Sequence, residues 1–121
     1  MIKIFAEKLV LNTAEGTHFI PIADVFLFKS TQNYTTIETT KGEKIVVSVN
    51  LGQFDHLTAS DELEGSAAPL FFKIHKSHIV RLSMVRHVLK MSDGEYVVLE
   101  NGAKLPLARR RREAFLAVMS G

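Results

Sequence analysis

The chain has 121 residues, a net charge of +2 and no cysteine. That length suits one domain with a sizeable core, and the missing thiols exclude a disulfide framework and thiolate metal sites. No apolar run approaches the ~20 residues of a membrane span, and the N-terminus lacks the apolar stretch and cleavage site of a signal peptide.

The charge is uneven. Residues 1–72 carry five lysines against nine acids, net −4, whereas residues 73–121 carry ten lysines and arginines against four acids, net +6. A basic half acts locally and points to a polyanion partner; the plain alternative is a solvated basic face.

Many short apolar runs separated by turn residues predict a mainly β chain. Ile2, Ile4 and Phe5 open a strand expected to run on to Leu11, and residues 12–16 read as a turn. Phe19, Ile20 and Ile22 form a second strand that Pro21 marks as an edge. The unbroken run Val25-Phe26-Leu27-Phe28 predicts burial on both faces, with a break at residues 30–33. Residues 34–40 are rich in β-branched side chains, and Lys41-Gly42 turns them into a partner strand over 45–49. Asn50 reads as a helix N-cap, and Leu51, Phe54 and Leu57 recur at helical spacing, giving a short linking helix. Residues 58–69 are acidic and small, a loop by composition.

Residues 71–81 place apolar flanks around a polar centre. Phe71, Phe72 and Ile74 precede His75-Lys76-Ser77-His78, and Ile79 and Val80 follow. The flanks read as core anchors and the centre as a basic, hydrogen-bonding tip suited to a phosphate or a base edge; the plain reading is a polar surface turn. Val85 to Met91 is a strand, Tyr96 to Leu99 its partner, and residues 103–107 a third. Asp93-Gly94 and Asn101-Gly102 are expected as two-residue turns with positive φ at both central positions. Arg109 to Arg112 lead into a closing helix at 114–119, with Phe115, Leu116 and Met119 on one face. No internal repeat is visible.

On a helix the four arginines, Arg109 to Arg112, fan through about 300°, so only one or two can face a polyanion while the rest are solvated. Lys76 and Lys104 lie in the same basic half. His75 and His78 are three apart with no third ligand nearby, so no metal site is expected. The sequence offers no acid/base pair with a clear rationale and no glycine-rich phosphate loop. It predicts no enzyme and no cofactor.

Taken together, the motifs resemble the LytTR domain, the DNA-binding domain of bacterial response regulators of the LytR/AlgR type. The resemblance covers residues 20–116 and leaves 1–19 as an extra N-terminal strand on a single domain of residues 1–121. It rests on Val25-Phe26-Leu27-Phe28-Lys29-Ser30-Thr31-Gln32-Asn33-Tyr34, on Leu51 and Leu57, on the run from Phe72 to Val80 with its His-basic-Ser core, and on Gly102 to Arg109. It implies antiparallel sheets with hairpins, a short linking helix and a C-terminal helix. It also implies loop tips in the major groove of double-stranded DNA, with base contacts at Tyr34 or its neighbour Asn33, at Lys76 and at Arg109.

Three positions depart from the family pattern. Arg81 stands where Asn is usual and could add a phosphate contact, Ala108 stands where Ser is usual, and Lys73 replaces a common Arg. The expectation is therefore sequence-specific DNA binding by a cytoplasmic bacterial transcription regulator of the two-component type, through Asn33, Tyr34, His75, Lys76, Ser77, Arg81, Lys104, Arg109 and Arg110. The reading leaves room for a second copy on repeated sites. The alternative, kept open by Ala108 and Arg81, is a LytTR-fold protein-interaction module without DNA readout. About 20 residues precede the resemblance, too few for a phospho-receiver domain, so a stand-alone regulator or an excised domain is expected.

Overall fold

The computed structural model describes residues 2–58 and 70–120. The acidic stretch expected as a loop therefore lies, apart from Thr58, outside the described residues. The chain forms two units, residues 1–56 and 57–121.

In the first unit, β1 (Lys3–Phe5), β2 (Lys8–Thr13) and β3 (Gly16–Pro21) form an antiparallel sheet in that order. The single strand expected from Ile2 to Leu11 is instead a hairpin. Ala6 and Glu7, at φ 53° and 62°, make its turn. Both adopt a left-handed conformation usually left to Gly, Asn or Asp, so the residue types give no warning of it. The Ile22 N–H donates to the Glu7 carbonyl at 2.9 Å and ties this turn to the end of β3. β2 buries three consecutive residues, Leu9, Val10 and Leu11, and β3 buries Ile20; Pro21 closes the edge strand β3.

A 3-10 helix, Ile22–Asp24, leads into β4 (Val25–Thr31), β5 (Tyr34–Thr39) and β6 (Lys44–Val47), paired antiparallel in sequence. Val25 to Phe28 are all buried, as an unbroken apolar run requires. The strand continues past the expected break to Thr31, and Gln32-Asn33 turn the chain. The linking helix, Leu51–Leu57, is 3-10 rather than α. The backbone carbonyl of Asn50 accepts from the Gln53 N–H at 3.0 Å. Phe54, fully buried, sets its ring 4.9 Å from that of Phe28.

In the second unit, β7 (Phe71–His75) and β8 (His78–Arg81) form a hairpin, and a 3-10 turn at Leu82–Met84 comes next. β9 (Val85–Met91), β10 (Gly94–Leu99) and β11 (Lys104–Leu107) form an antiparallel sheet in the order β11-β10-β9. The chain ends in a 3-10 turn at Arg109–Arg111 and helix α1 (Arg112–Ser120). Phe115 is fully buried with its ring edge-on to Phe72 at 5.4 Å, whereas Met119 is 43% exposed, so the buried face of α1 is narrower than its periodicity predicts. The two Asx-Gly turns also differ from expectation. Ser92 and Asp93 form the first turn, and Gly94, at φ 147°, begins β10. In the second only Gly102 is left-handed, at φ 88°. There the Leu99 N–H donates to the Ala103 carbonyl, closing a three-residue loop in which one left-handed glycine suffices.

The sequence hides a structural repeat. Residues 22–47 and 82–107 run through the same elements sixty positions apart: a 3-10 turn, then strands starting at Val25 and Val85, at Tyr34 and Gly94, and at Lys44 and Lys104. The hydrogen bonds match as well. Thr40 donates to the Asp24 carbonyl and Glu100 to that of Met84, both at 2.8 Å. Gly42 donates to Thr39 and Gly102 to Leu99, with the two glycines at φ 84° and 88°. From 18 to 49, only His18, Val25, Gly42 and Lys44 are identical to their counterparts His78, Val85, Gly102 and Lys104. Small apolar and turn residues can interchange within such a pattern, which is why no repeat is legible.

Candidate nucleic-acid interface

The β7–β8 hairpin carries the basic tip. Phe71, Ile74, Ile79 and Val80 are fully buried and anchor it, while Lys76 is exposed at the turn. The Ser77 hydroxyl bridges two imidazoles, 2.8 Å from His75 Nδ1 and 2.8 Å from His78 Nδ1. The Ser77 backbone N–H also donates to His75 Nδ1 at 3.2 Å. That nitrogen is therefore an acceptor, and the ring proton of neutral His75 sits on Nε2. Ser77 then donates its hydroxyl proton to His75 and accepts from His78. Burial, with the charges of Lys76 and Arg111 nearby, holds the pKa of His75 below its ordinary value.

One backbone bond joins this tip to the arginine run. The Ala108 N–H donates to the Ile74 carbonyl at 2.8 Å, and the Ala108 carbonyl accepts from Arg111 at 2.9 Å. Arg109 thus leaves a residue held on both sides, and His75 follows the residue at the other end of the same bond. Arg109 and Arg110 are exposed and Arg111 is half-buried. Arg112 forms an ion pair with Glu95. A cleft of about 420 Å³ opens beside Arg109, lined also by Lys90, Ser92, Asp93, Glu95 and Leu107.

Lys104 stands apart from this cluster. It pairs with Val98, while Leu107 pairs with Glu95, so by strand alternation Lys104 and Leu107 occupy opposite faces of the sheet. The Lys104 ammonium lies 4.6 Å from the Tyr96 ring centroid and 3.5 Å from Met91 Sδ. Tyr96 donates to Asp93 at 2.8 Å, which raises its pKa. Arg81 corrects the sequence reading. It is 7% exposed, with its guanidinium 5.1 Å from the Phe71 ring centroid. A side chain held inside in this way does not offer its fork to a phosphate. In the first unit, Asn33 and Tyr34 lie at the β4–β5 turn, both exposed. Among the described residues no three His, Asp or Glu side chains cluster as metal ligands, and no helix is long and apolar enough to cross a membrane.

Sequence reasoning missed Glu95, a single acid in a β strand with no motif around it. The repeat also shows what is special about the second unit. The counterparts of Ala108 and Arg109 are Ser48 and Val49, so the first unit lacks the arginine at the position that follows its last sheet strand.

The LytTr DNA-binding domain model matches residues 15–120. Among solved structures, the fold is similar to the LytTr DNA-binding domain of a putative methyl-accepting/DNA response regulator from Bacillus cereus. That structure is 16% identical, with a TM-score of 0.72 over 97% of this chain and 100% of that one. With antiparallel sheets, a C-terminal helix and a family match over nearly its whole length, this chain belongs to the LytTr DNA-binding domain family.

Proposed function

We propose that residues 1–121 act as one sequence-specific DNA-binding domain of a bacterial transcription regulator of the response-regulator type, working in the cytoplasm. Lys76 and Arg109 enter the major groove, His75, Ser77 and Arg110 support them at the tip and the backbone, and Asn33 or Tyr34 adds a contact from the β4–β5 turn. Lys104 serves the phosphates. The observation that carries this is the Ala108–Ile74 hydrogen bond, because it makes Arg109 and the His75-Lys76-Ser77 tip near neighbours on one anchored piece of backbone. A base-reading side chain must be held, whereas a phosphate contact tolerates motion, and the arginine fork fits guanine O6 and N7. The alternative reading is an interaction module with this fold that has lost DNA readout, and titration with duplex DNA separates the two.

Enrichment of genomic fragments on the purified chain gives a preferred duplex, and titration of that duplex and a random one tests the reading. With ~4 to 6 phosphates neutralised, log K falls against log salt with a slope of about −4 to −5. Arg109→Ala costs about 1–3 kcal/mol on the preferred duplex and little on random DNA. Equal losses on both duplexes would show that Arg109 attracts without reading.

A further inference from the structure

We infer that Arg112 is a positioning residue for Arg109: by pairing with Glu95 it keeps that carboxylate off the arginine that reads DNA. The inference rests on the reading of Arg109 above and deepens it. Glu95 sits directly opposite Leu107 on β11, and Arg109 comes two residues later. Arg109 lies just past the end of β11, in the 3-10 turn Arg109–Arg111. Glu95 and Arg109 line the same cleft. The other acid there, Asp93, accepts a hydrogen bond from Tyr96.

The repeat supplies independent support that the reach is real. The counterpart of Glu95 is Thr35, and the counterpart of Arg109 is Val49. In the first unit the Thr35 hydroxyl donates to the Val49 carbonyl at 2.8 Å. A side chain at this strand position therefore reaches the main chain two residues past the last sheet strand. In the second unit the corresponding side chain is a carboxylate, long enough to approach a guanidinium placed nearby. Arginine–carboxylate pairs are strong and often bidentate, so an Arg109 taken by Glu95 could not present its fork to a base. Arg112, in the first turn of α1, takes Glu95 instead. The ion pair thus leaves Arg109 exposed and available, and it neutralises an acid that would repel phosphate.

The test titrates the preferred and random duplexes with five variants: Arg112→Ala, Arg112→Lys, Glu95→Gln, the double variant Arg112→Ala with Glu95→Gln, and Arg109→Ala. The readout is the ratio of the two affinities, which cancels the general effect of changing net charge. Arg112→Ala should lower the ratio tenfold or more. The double variant and Arg112→Lys should restore it to within threefold of the parent, and Glu95→Gln alone should leave it there. The double variant has no ion pair at all, so a folded double variant with a normal ratio rules out a merely structural role. A ratio unchanged in Arg112→Ala, or lowered and not restored by Glu95→Gln, overturns the inference. Arg109→Ala separates the two failures: if it lowers the ratio while the double variant is not restored, only the positioning role falls, and if it leaves the ratio intact the reading of Arg109 falls as well.

Discussion

Removing one oxygen at Ser77 tests whether the tip of the β7–β8 hairpin is a built structure or a polar turn. The hydroxyl makes two hydrogen bonds of 2.8 Å, one to each flanking imidazole. Each contributes about 0.5–1.5 kcal/mol net, and a buried group that loses its partner costs about 1–3 kcal/mol more than an exposed one. His78 is 8% exposed, so Ser77→Ala removes the Ser77 bond from a ring that water reaches poorly. His75 keeps the backbone N–H of residue 77 and stays in register. The expected loss is roughly 2–3 kcal/mol, or a fall in Tm of roughly 6–12 °C for a chain of this size. Circular dichroism melts measure it, with Ser77→Thr as the control that keeps an oxygen and most of the stability. In duplex titrations well below Tm, Ser77→Ala should weaken the preferred duplex more than the random one, because Lys76 loses its brace. A Tm within ~2 °C of the parent would refute the bridging role of the hydroxyl.

Gly102→Ala should cost about 1–2 kcal/mol, the penalty of a left-handed residue with a Cβ, since its φ is 88° and nothing lies within 4 Å of the added atom; urea unfolding measures this, and a loss well beyond ~3 kcal/mol would mean a clash the structure does not have. His75 gives a pH effect of known sign. Its folded pKa lies below the ordinary value of 6.5, so as pH falls through 6.5 the unfolded chain takes up the proton first, and stability declines until the folded pKa is passed. Comparing the parent with His75→Asn across pH 7 to 5 isolates this slope, and equal slopes would show that His75 does not contribute. DNA phosphate favours the charged ring, so the parent should bind duplex more tightly, relative to His75→Asn, as pH falls over the same window.

The sequence revealed the strand pattern because side-chain type and burial agree along most of it. β9 runs from Val85 to Met91 as its residues predict, and the Val25–Phe28 run is buried throughout. Where the reading failed, the cause is physical. Ala6 and Glu7 adopt left-handed φ that their types do not advertise, because the hairpin they close is held from outside by the Ile22–Glu7 hydrogen bond. Arg81 reads as surface charge, yet an arginine can lay its flat guanidinium against a buried ring, as it does at Phe71. The exposed candidates Lys76, Arg109 and Arg110 were legible from charge density alone. The bond that makes them neighbours was not, since a backbone contact between residues 74 and 108 leaves no mark on side-chain identity.

The repeat bears on why one unit carries the arginines. Both copies share the 3-10 turn, the paired strands and the left-handed glycine, so this framework alone specifies no chemistry. The copies differ at most positions, and two of those differences lie past or beside the last strand: Val49 against Arg109, Thr35 against Glu95. Thr35 is fully buried and spends its hydroxyl on a backbone carbonyl, which closes that place in the first unit to a charged side chain. In the second unit the same place holds a half-buried carboxylate, and a carboxylate there demands a cation. α1 provides one in Arg112, directly after the 3-10 turn that carries Arg109 to Arg111. The four consecutive arginines are thus not one patch: three are exposed, one of these being paired with an acid, and one is half-buried near His75. Charge density located the run, but only the strand register divides its labour.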